Sequence, residues 1–112
     1  MGQTIAIISA LHEEQAGLLA LMSGQPPERL AGREFWRGQL QGHEVIAVLS
    51  GLGKVAAATT TAVLMERFQP QQLIFTGVAG GIGDGVAVGD IVVGSSYLQH
   101  DMDASPLFPR HE

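Results

Sequence analysis

The sequence predicts an α/β fold in which strands and helices interleave around a mixed, largely buried sheet. Apolar β-branched runs alternate with segments of helical periodicity, and this order favours a sheet that is covered by helices. The 112 residues are 46% hydrophobic and 15% charged, a composition too apolar for a disordered chain. The 15 glycines are typical of tight turns between strands rather than of a helical bundle. The length suits one small domain.

A strand and a helix are predicted first. Residues 4–9 (TIAIIS) form a β-branched run with little alternation, as expected of a strand that is buried on both faces. From Leu11 the apolar residues fall at helical spacing, and Gly24 with Pro26-Pro27 ends that helix.

A hairpin is predicted next. Residues 33–40 and 43–50 flank Gln41-Gly42, a pair suited to a two-residue turn. Phe35 and Trp36 are neighbours on the first of these strands and therefore face opposite sides. We expect one of them to lie in the core and the other to pack against a helix or a subunit.

A second helix and two further strands complete the predicted order. Residues 54–68 form a helix that Gln69-Pro70 ends. Residues 73–76 form a short buried strand that runs into a glycine-rich segment at 77–85, and residues 90–93 form a last strand. The predicted order is β-α-β-β-α-β, then a glycine-rich loop and a final β.

Charge and composition exclude several classes of function. Six basic residues against eleven acidic ones give a net charge of −5, which argues against a nucleic-acid-binding surface. The chain has no cysteine, hence no disulfide framework and no Cys-based metal site, which suits the cytoplasm. No apolar run approaches the roughly 20 residues that span a bilayer, and no signal peptide is recognisable. We expect a cytoplasmic protein with no membrane partner.

Residues 48–56 are similar to two nucleotide-binding motifs, the P-loop and the dinucleotide fingerprint. A P-loop fails because Val48 and Val55 stand where glycine and Ser or Thr are needed. Gly51-x-Gly53-x-x-Ala56 matches the relaxed dinucleotide fingerprint, but its acidic partner about 20 residues further on is absent. We favour the interpretation in which both glycines permit a tight turn and close helix–strand packing.

Small residues follow three of the predicted strands, at Ser9–Leu11, Ser50–Leu52 and Val78–Gly80. Ligands of α/β sheets bind beyond the carboxyl ends of the strands. Ordinary glycine turns explain any one of these segments, but the three together predict a ligand site.

Two carboxylates, Glu13 and Glu14, follow the first strand directly. Negative side chains in the first turn of a helix are favoured by the helix dipole. Alternatively, one of them activates a water molecule. A separate polar group, His100, Asp101 and Asp103, is of the kind that caps or turns a loop, and we expect no metal there.

Four blocks of sequence resemble one enzyme family in their order and spacing. They are IAIISALHEE (5–14), LSGLGKVAAA (49–58), FTGVAGG with VGDIVV (75–81 and 88–93), and HDMDAS (100–105). Together they are similar to the 5′-methylthioadenosine/S-adenosylhomocysteine nucleosidases, in the hydrolase branch of the nucleoside phosphorylase/nucleosidase superfamily. The resemblance implies a three-layer αβα fold with a mixed central sheet, represented here by its N-terminal half.

The same resemblance implies an activity. Family members are homodimers that hydrolyse the N-glycosidic bond of 5′-methylthioadenosine, S-adenosylhomocysteine and often 5′-deoxyadenosine. They release adenine and the 5′-thio-ribose without a metal or cofactor. The second glutamate of the Glu-Glu pair orients or deprotonates the attacking water in the family, which assigns this catalytic role to Glu14.

The resemblance also implies a set of substrate-binding residues. The ribose and purine pocket lies against small residues that follow the strands, and a hydrophobic residue near the Asp-x-Asp loop covers the 5′-thio group of the neighbouring subunit. The implied positions are Ala10, Leu11, Leu52, Val78, Ala79 and Gly80, with Leu107 or Phe108 as the covering residue. Many members carry serine where Val78 stands, so a hydroxyl contact to substrate is lost at that position.

In the family, an aspartate from a later strand protonates the leaving base, and its position lies beyond residue 112. We therefore expect residues 1–112 to be the N-terminal part of a single nucleosidase domain and to be inactive alone.

Alternative functions stay open. A nucleoside phosphorylase shares the fold, but phosphate needs positive charge or N–H donors, and a glutamate on the attacking side repels it. A futalosine-type nucleosidase is not separated from the first interpretation by these residues. The alternative of a different class is a non-catalytic module, either a truncated remnant that only dimerises or a dinucleotide-binding half-domain.

Overall fold

A computed structural model describes residues 3–110, and the chain divides into two compact units, Met1–Ala79 and Gly80–Glu112. Within the described residues, every regular element belongs to the first unit. The strands are β1 (Thr4–Ser9), β2 (Ser23–Gly24), β3 (Glu28–Leu30), β4 (Arg33–Leu40), β5 (His43–Leu49) and β6 (Gln72–Phe75), and the helices are α1 (His12–Leu21) and α2 (Lys54–Phe68).

The strands form one mixed sheet in the order β2-β4-β5-β1-β6, and β3 also pairs with β4. β1 lies between β5 and β6 and runs parallel to both. β4 is antiparallel to β5, β2 and β3. The three parallel strands therefore end at the same edge of the sheet, which confirms the mixed sheet predicted from the sequence.

Helices cover both faces of the sheet. Side chains alternate between the faces along β5, yet four consecutive residues, Val45–Val48, are all buried. Ile46 and Val48 belong to the core cluster that contains Leu64 of α2, and α1 contacts β5 and β1. A strand that is buried on both faces needs a layer on each side, so the architecture is the three-layer αβα arrangement.

Two-residue turns set the register of the antiparallel strands. Gln41-Gly42 joins β4 to β5 with φ values of 51° and 79°, the positive pair that a tight hairpin turn requires. Ala31-Gly32 joins β3 to β4 in the same way, with φ values of 50° and 74°. The first turn confirms the predicted hairpin. The second begins β4 after β3, a strand that the sequence pattern did not reveal.

The aromatic pair on β4 is divided between the faces as expected. Phe35 is buried and packs on Phe68 of α2 with ring centroids 5.3 Å apart. Trp36 is half-buried and lies on the opposite face, because adjacent strand residues alternate.

Two of the predicted strands differ from the structure. The segment predicted at residues 73–76 pairs with β1 one residue earlier, as Gln72–Phe75, and all four of its residues are exposed rather than buried. Residues 90–93 form no strand, and Ile91 and Val93 are 94% and 88% exposed. A strand needs a partner for its ladder hydrogen bonds as well as an apolar sequence; among residues 3–110, β6 has a partner on one side only, and the 90–93 segment has none.

Local turns organise the second unit. Ala87 N–H donates to Asp90 Oδ2 at 2.9 Å, and Asp90 N–H donates to the Ala87 carbonyl at 3.1 Å. Further along, Ser105 N–H donates to Asp103 Oδ1 at 3.1 Å, and the hydrogen bonds with Ser105 hold the pKa of Asp103 below its ordinary value. Asp90 and Asp103 thus act as turn-forming side chains in this unit.

Over residues 3–110, no group of three His, Cys, Asp or Glu side chains is placed to hold a metal ion. Neither of the two described helices has the length and apolarity needed to cross a membrane.

Candidate active site at the ends of the parallel strands

Hydrogen bonds tie the ends of β1, β5 and β6 together. Ser50 N–H, directly after β5, donates to the Ser9 carbonyl of β1 at 2.8 Å. Thr76 N–H, directly after β6, donates to the Ile8 carbonyl at 2.9 Å. The hydroxyl oxygens of Ser9 and Thr76 lie 2.9 Å apart and share a hydrogen bond. The sheet therefore presents a fixed edge on which the following turns are built.

The carboxylate of Glu14 lies at this edge and accepts three main-chain hydrogen bonds. Its Oε2 accepts from Ala10 N–H at 3.0 Å and from Leu11 N–H at 2.9 Å. Its Oε1 accepts from Val78 N–H at 3.0 Å. The donors come from the turn after β1 and from the segment after β6, so the side chain bridges two strand ends.

Glu14 also starts helix α1. It is the third residue of the helix, and its carboxylate reaches back to the N–H of the N-cap residue Leu11, as the glutamate of a capping box does. Glu14 N–H donates to the Leu11 carbonyl at 3.1 Å, where a capping Ser or Thr would offer its hydroxyl. The two interpretations of the Glu-Glu pair are thus compatible, since Glu14 serves the helix start and still faces the strand ends.

The three donors keep the carboxylate charged. The hydrogen bond from Val78 N–H is the main cause that lowers the pKa of Glu14 below its ordinary value of 4.5; the bonds from Leu11 and Ala10 act in the same direction, and desolvation opposes them. Hydrogen bonds to a carboxylate stabilise its ionised form. At neutral pH Glu14 is an anion that can accept further hydrogen bonds.

The two oxygens of this carboxylate differ in how many further hydrogen bonds they can accept. Each carboxylate oxygen offers about two acceptor sites. Oε2 uses both for Ala10 and Leu11, whereas Oε1 accepts only from Val78 among the described residues. A water molecule that is to be oriented by Glu14 therefore has its place on Oε1.

Four of the predicted site residues meet in this arrangement: Glu14, Ala10, Leu11 and Val78. Leu52 lies in the turn after β5 with its side chain 74% exposed, and Ala79 is exposed at the end of the first unit. The remaining predicted residues, Gly80, Leu107 and Phe108, belong to the second unit. Within that unit, Leu107 and Phe108 donate their N–H groups to the Ala104 carbonyl and expose their side chains.

The sequence pattern missed the hydroxyl pair of Ser9 and Thr76. Part of its signal was present, because each residue is a small hydroxyl residue at the end of an apolar run that was predicted to be a strand. The pair became visible only with the register that places Ile8 opposite Phe75.

A recess of about 520 Å³ lies beside α1, next to β4 and the end of β5. Its lining includes Gln15 and Arg33, whose Nε2 and Nε atoms are buried without a hydrogen-bond partner in the described structure. The carboxylate in its lining, Glu34, forms a salt bridge with Arg29 at 3.6 Å. Polar and charged side chains of α1, β3 and β4 thus line this recess.

Comparison with known proteins places the chain in a family. The phosphorylase superfamily profile matches residues 4–112. The chain is 46% identical over 101 residues to a 5′-methylthioadenosine/S-adenosylhomocysteine nucleosidase of Shewanella loihica, covering 90% of this chain and 44% of that protein. The chain thus spans about half the length of the curated relatives that it matches.

Solved structures show the same relationship. The crystal structure of the 5′-methylthioadenosine/S-adenosylhomocysteine nucleosidase of Colwellia psychrerythraea in complex with adenine is similar with a TM-score of 0.95 and 39% identity, over 100% of this chain and 47% of that one. Futalosine hydrolase of Helicobacter pylori is similar with a TM-score of 0.89 and 31% identity, over 98% of this chain and 48% of that one. These matches confirm the fold and the resemblance inferred from the four sequence blocks: the chain belongs to the phosphorylase superfamily.

Proposed function

We propose that the protein contributes to hydrolysis of the N-glycosidic bond of 5′-methylthioadenosine and S-adenosylhomocysteine, and of 5′-deoxyadenosine. The observation that carries the proposal is the Glu14 carboxylate, fixed by three N–H groups at the strand ends with acceptor capacity left on Oε1. It is supported by the curated relatives and solved neighbours, whose names are those of methylthioadenosine/adenosylhomocysteine nucleosidases.

The geometry suits the chemistry of glycosidic hydrolysis. The C1′–N9 bond breaks through an oxocarbenium-like state, and its electron pair leaves with adenine. Water held on Oε1 adds its oxygen to C1′ and gives a proton to Glu14 as the new bond forms. Because the carbon under attack is nearly cationic, orientation of the water matters more than strong basicity. A carboxylate whose pKa is lowered is adequate for this role.

The second proton transfer needs another group. Adenine leaves as a good leaving group only when it is protonated. The chain spans only 44% of the length of its curated relative from Shewanella loihica. We therefore propose that residues 1–112 act as the N-terminal part of one nucleosidase domain, in which a further segment supplies the acid.

The same charge argument separates water from phosphate as the nucleophile. The superfamily includes phosphorylases by its own description, but phosphate binding requires cations or several N–H donors directed at the anion. Here the three N–H groups are directed at Glu14, and the carboxylate itself repels phosphate. Hydrolysis is the reaction that this arrangement favours.

A futalosine-type nucleoside is the second candidate substrate. The observation in its favour is the likeness to futalosine hydrolase, with a TM-score of 0.89. Both substrates need the same water-orienting carboxylate, so the choice depends on the groups that contact the base and the 5′ substituent.

We also propose a cytoplasmic homodimer that needs no cofactor. The exposed apolar side chains of Leu107 and Phe108, 83% and 59% accessible, are suited to covering a 5′-thio group on a partner subunit. Acid–base catalysis by carboxylates supplies the whole reaction.

An adenine-release assay tests the proposal. S-adenosylhomocysteine is offered to the 112-residue chain and to a C-terminally extended version, each with and without phosphate. We expect the extended version to release adenine without consuming phosphate, and Glu14→Gln to lower the rate by about 10²- to 10⁴-fold. Glu13→Gln is the matched control, because the exposed Glu13 makes none of the three hydrogen bonds, and its rate should stay close to that of the parent.

Each other outcome has a distinct meaning. Phosphate-dependent formation of a sugar phosphate would assign the protein to the phosphorylases. Turnover of futalosine, offered in a parallel assay, without turnover of S-adenosylhomocysteine would favour the second candidate. Full activity of the 112-residue chain would show that the proposed division of the domain is wrong.

A further inference from the structure

We propose that Gly77 is a positioning residue of this site: its missing Cβ leaves the space in which Glu14 Oε1 reaches the N–H of Val78. The inference rests on the proposed function for its catalytic meaning, but the contact itself is independent of it. A Cβ at Gly77 would lie 3.2 Å from Oε1 and 3.5 Å from Cδ of Glu14.

The space at Gly77 is limited on a second side. The same Cβ would lie 3.2 Å from Cε1 of Phe75, so a methyl group would be wedged between the Phe75 ring and the carboxylate. Both contacts are tighter than ordinary, so each neighbour must yield by a few tenths of an ångström. A shift of the carboxylate away from the methyl would disturb its bond to Val78 N–H, which is 3.0 Å in the structure.

Gly77 differs from the other glycines of the strand-end turns. Gly51 and Gly53 have φ values of 82° and 96°, a region that favours glycine for backbone reasons. Gly77 is not among the residues with positive φ in the described part of the chain. Its requirement for glycine therefore comes from the space beside Glu14, and not from its own backbone.

The consequence for Glu14 is specific. The bond from Val78 is the largest contribution to the lowered pKa of Glu14, and Oε1 is the oxygen with capacity for water. A methyl at position 77 would weaken this bond and displace that oxygen, while the bonds from Ala10 and Leu11 to Oε2 remain.

The experiment is a pH titration of the Glu14 side-chain carboxyl by carbon-13 NMR in the 112-residue chain. Gly77→Ala is compared with the parent and with Gly17→Ala. Gly17 is the matched control, since a Cβ there has no neighbour within 4 Å. We expect the pKa of Glu14 to rise toward its ordinary value in Gly77→Ala and to stay lowered in Gly17→Ala, with the Val78 amide resonance shifted only in Gly77→Ala.

An unchanged Glu14 titration in a folded Gly77→Ala chain would overturn the proposal. If Gly77→Ala alone does not fold, Phe75→Ala is compared with Phe75→Ala/Gly77→Ala, in which the ring that confines the methyl is gone. The pKa of Glu14 should be higher in the double variant than in Phe75→Ala, and equal values would contradict the proposal.

The catalytic part is tested in the extended version that releases adenine. Gly77→Ala should lower kcat by about 10- to 100-fold, because small misplacements of a catalytic group have costs of this size, with a smaller effect on KM. An extended chain that releases no adenine would contradict the proposed function. The NMR titration would still decide whether Gly77 positions Glu14.

Discussion

The two turns that lead from a parallel strand into a helix solve the same problem differently. After β1, residues Ala10 and Leu11 expose main-chain N–H groups, and the Glu14 side chain accepts both. After β5, Gly51 and Gly53 adopt φ values of 82° and 96°, and α2 starts without an acidic residue in its first turn. The first turn uses a charged side chain, and the second uses backbone conformation.

The β1–α1 turn places an ionised carboxylate at the ends of the strands, where main-chain N–H groups hold it. In the β5–α2 turn, a Cβ on Gly51 would be 3.9 Å from the Cβ of Ala56, an ordinary packing distance between turn and helix. The Gly51-x-Gly53-x-x-Ala56 match to a dinucleotide fingerprint is therefore explained by turn conformation, whereas the expected close packing does not require glycine at either position.

The largest expected effect tests whether α2, the helix that follows the second turn, anchors the core. Leu64 of α2 is fully buried in the core, and Leu64→Ala should reduce the free energy of unfolding by about 2–5 kcal/mol. Urea denaturation measures the change. Met65→Ala, at a neighbouring position that is 45% exposed, is the control and should cost much less. Equal losses would mean that α2 does not anchor the core.

A smaller effect is expected at the glycines themselves. Gly51→Ala places a side chain in a left-handed conformation, which should cost about 1–2 kcal/mol of unfolding free energy. Gly17→Ala, in the interior of α1 with no atom near the new methyl, should instead stabilise by about 0.5–1 kcal/mol. The two substitutions are chemically identical, so the same sign for both would contradict the conformational explanation. The Glu14 titration should be unchanged by either.

The smallest effect concerns stability and pH at the first turn. The pKa of Glu14 is lowered in the folded chain, mainly by the Val78 hydrogen bond, so its contribution to stability is present above the ordinary value of 4.5 and is lost as the pH falls through the folded pKa. Glu14→Gln should lower the urea midpoint at pH 7, and the gap from the parent should close under acid conditions. A gap that is constant with pH would show that the ionised form is not the one stabilised.

Elements with clear periodicity and clear terminators were predicted to the residue. The bounds of β1, β4 and α2 coincide with the predicted segments, because apolar runs end at Gln41-Gly42 and Gln69-Pro70. β3 was missed because it is three residues long, too short for a period to appear, and follows two prolines. The Ala31-Gly32 turn was its only signal.

Partners were harder to predict than elements. Residues 90–93 and β6 have the apolar character of buried strands, yet sequence alone does not say which strand will pair with them. The burial of a strand depends on those partners. The predicted burial of β6 was therefore wrong, although its predicted bounds differed by only one residue.

The site shows the same limit. The resemblance predicted Glu14 as a site residue but not its hydrogen-bond donors, since every residue except proline carries a main-chain N–H group. The register of β1 against β6, with Ile8 opposite Phe75, brings Val78 within reach of a side chain 64 residues away.

The main-chain origin of these donors has a consequence for how the protein can diverge. Positions 10, 11 and 78 can change side chain without removing the bonds to Glu14, because only proline deletes the N–H. Valine at 78 is therefore compatible with an intact set of hydrogen bonds to the Glu14 carboxylate. Substitutions at these three positions can therefore alter contacts with a ligand, while the main-chain hydrogen bonds that keep Glu14 ionised are retained.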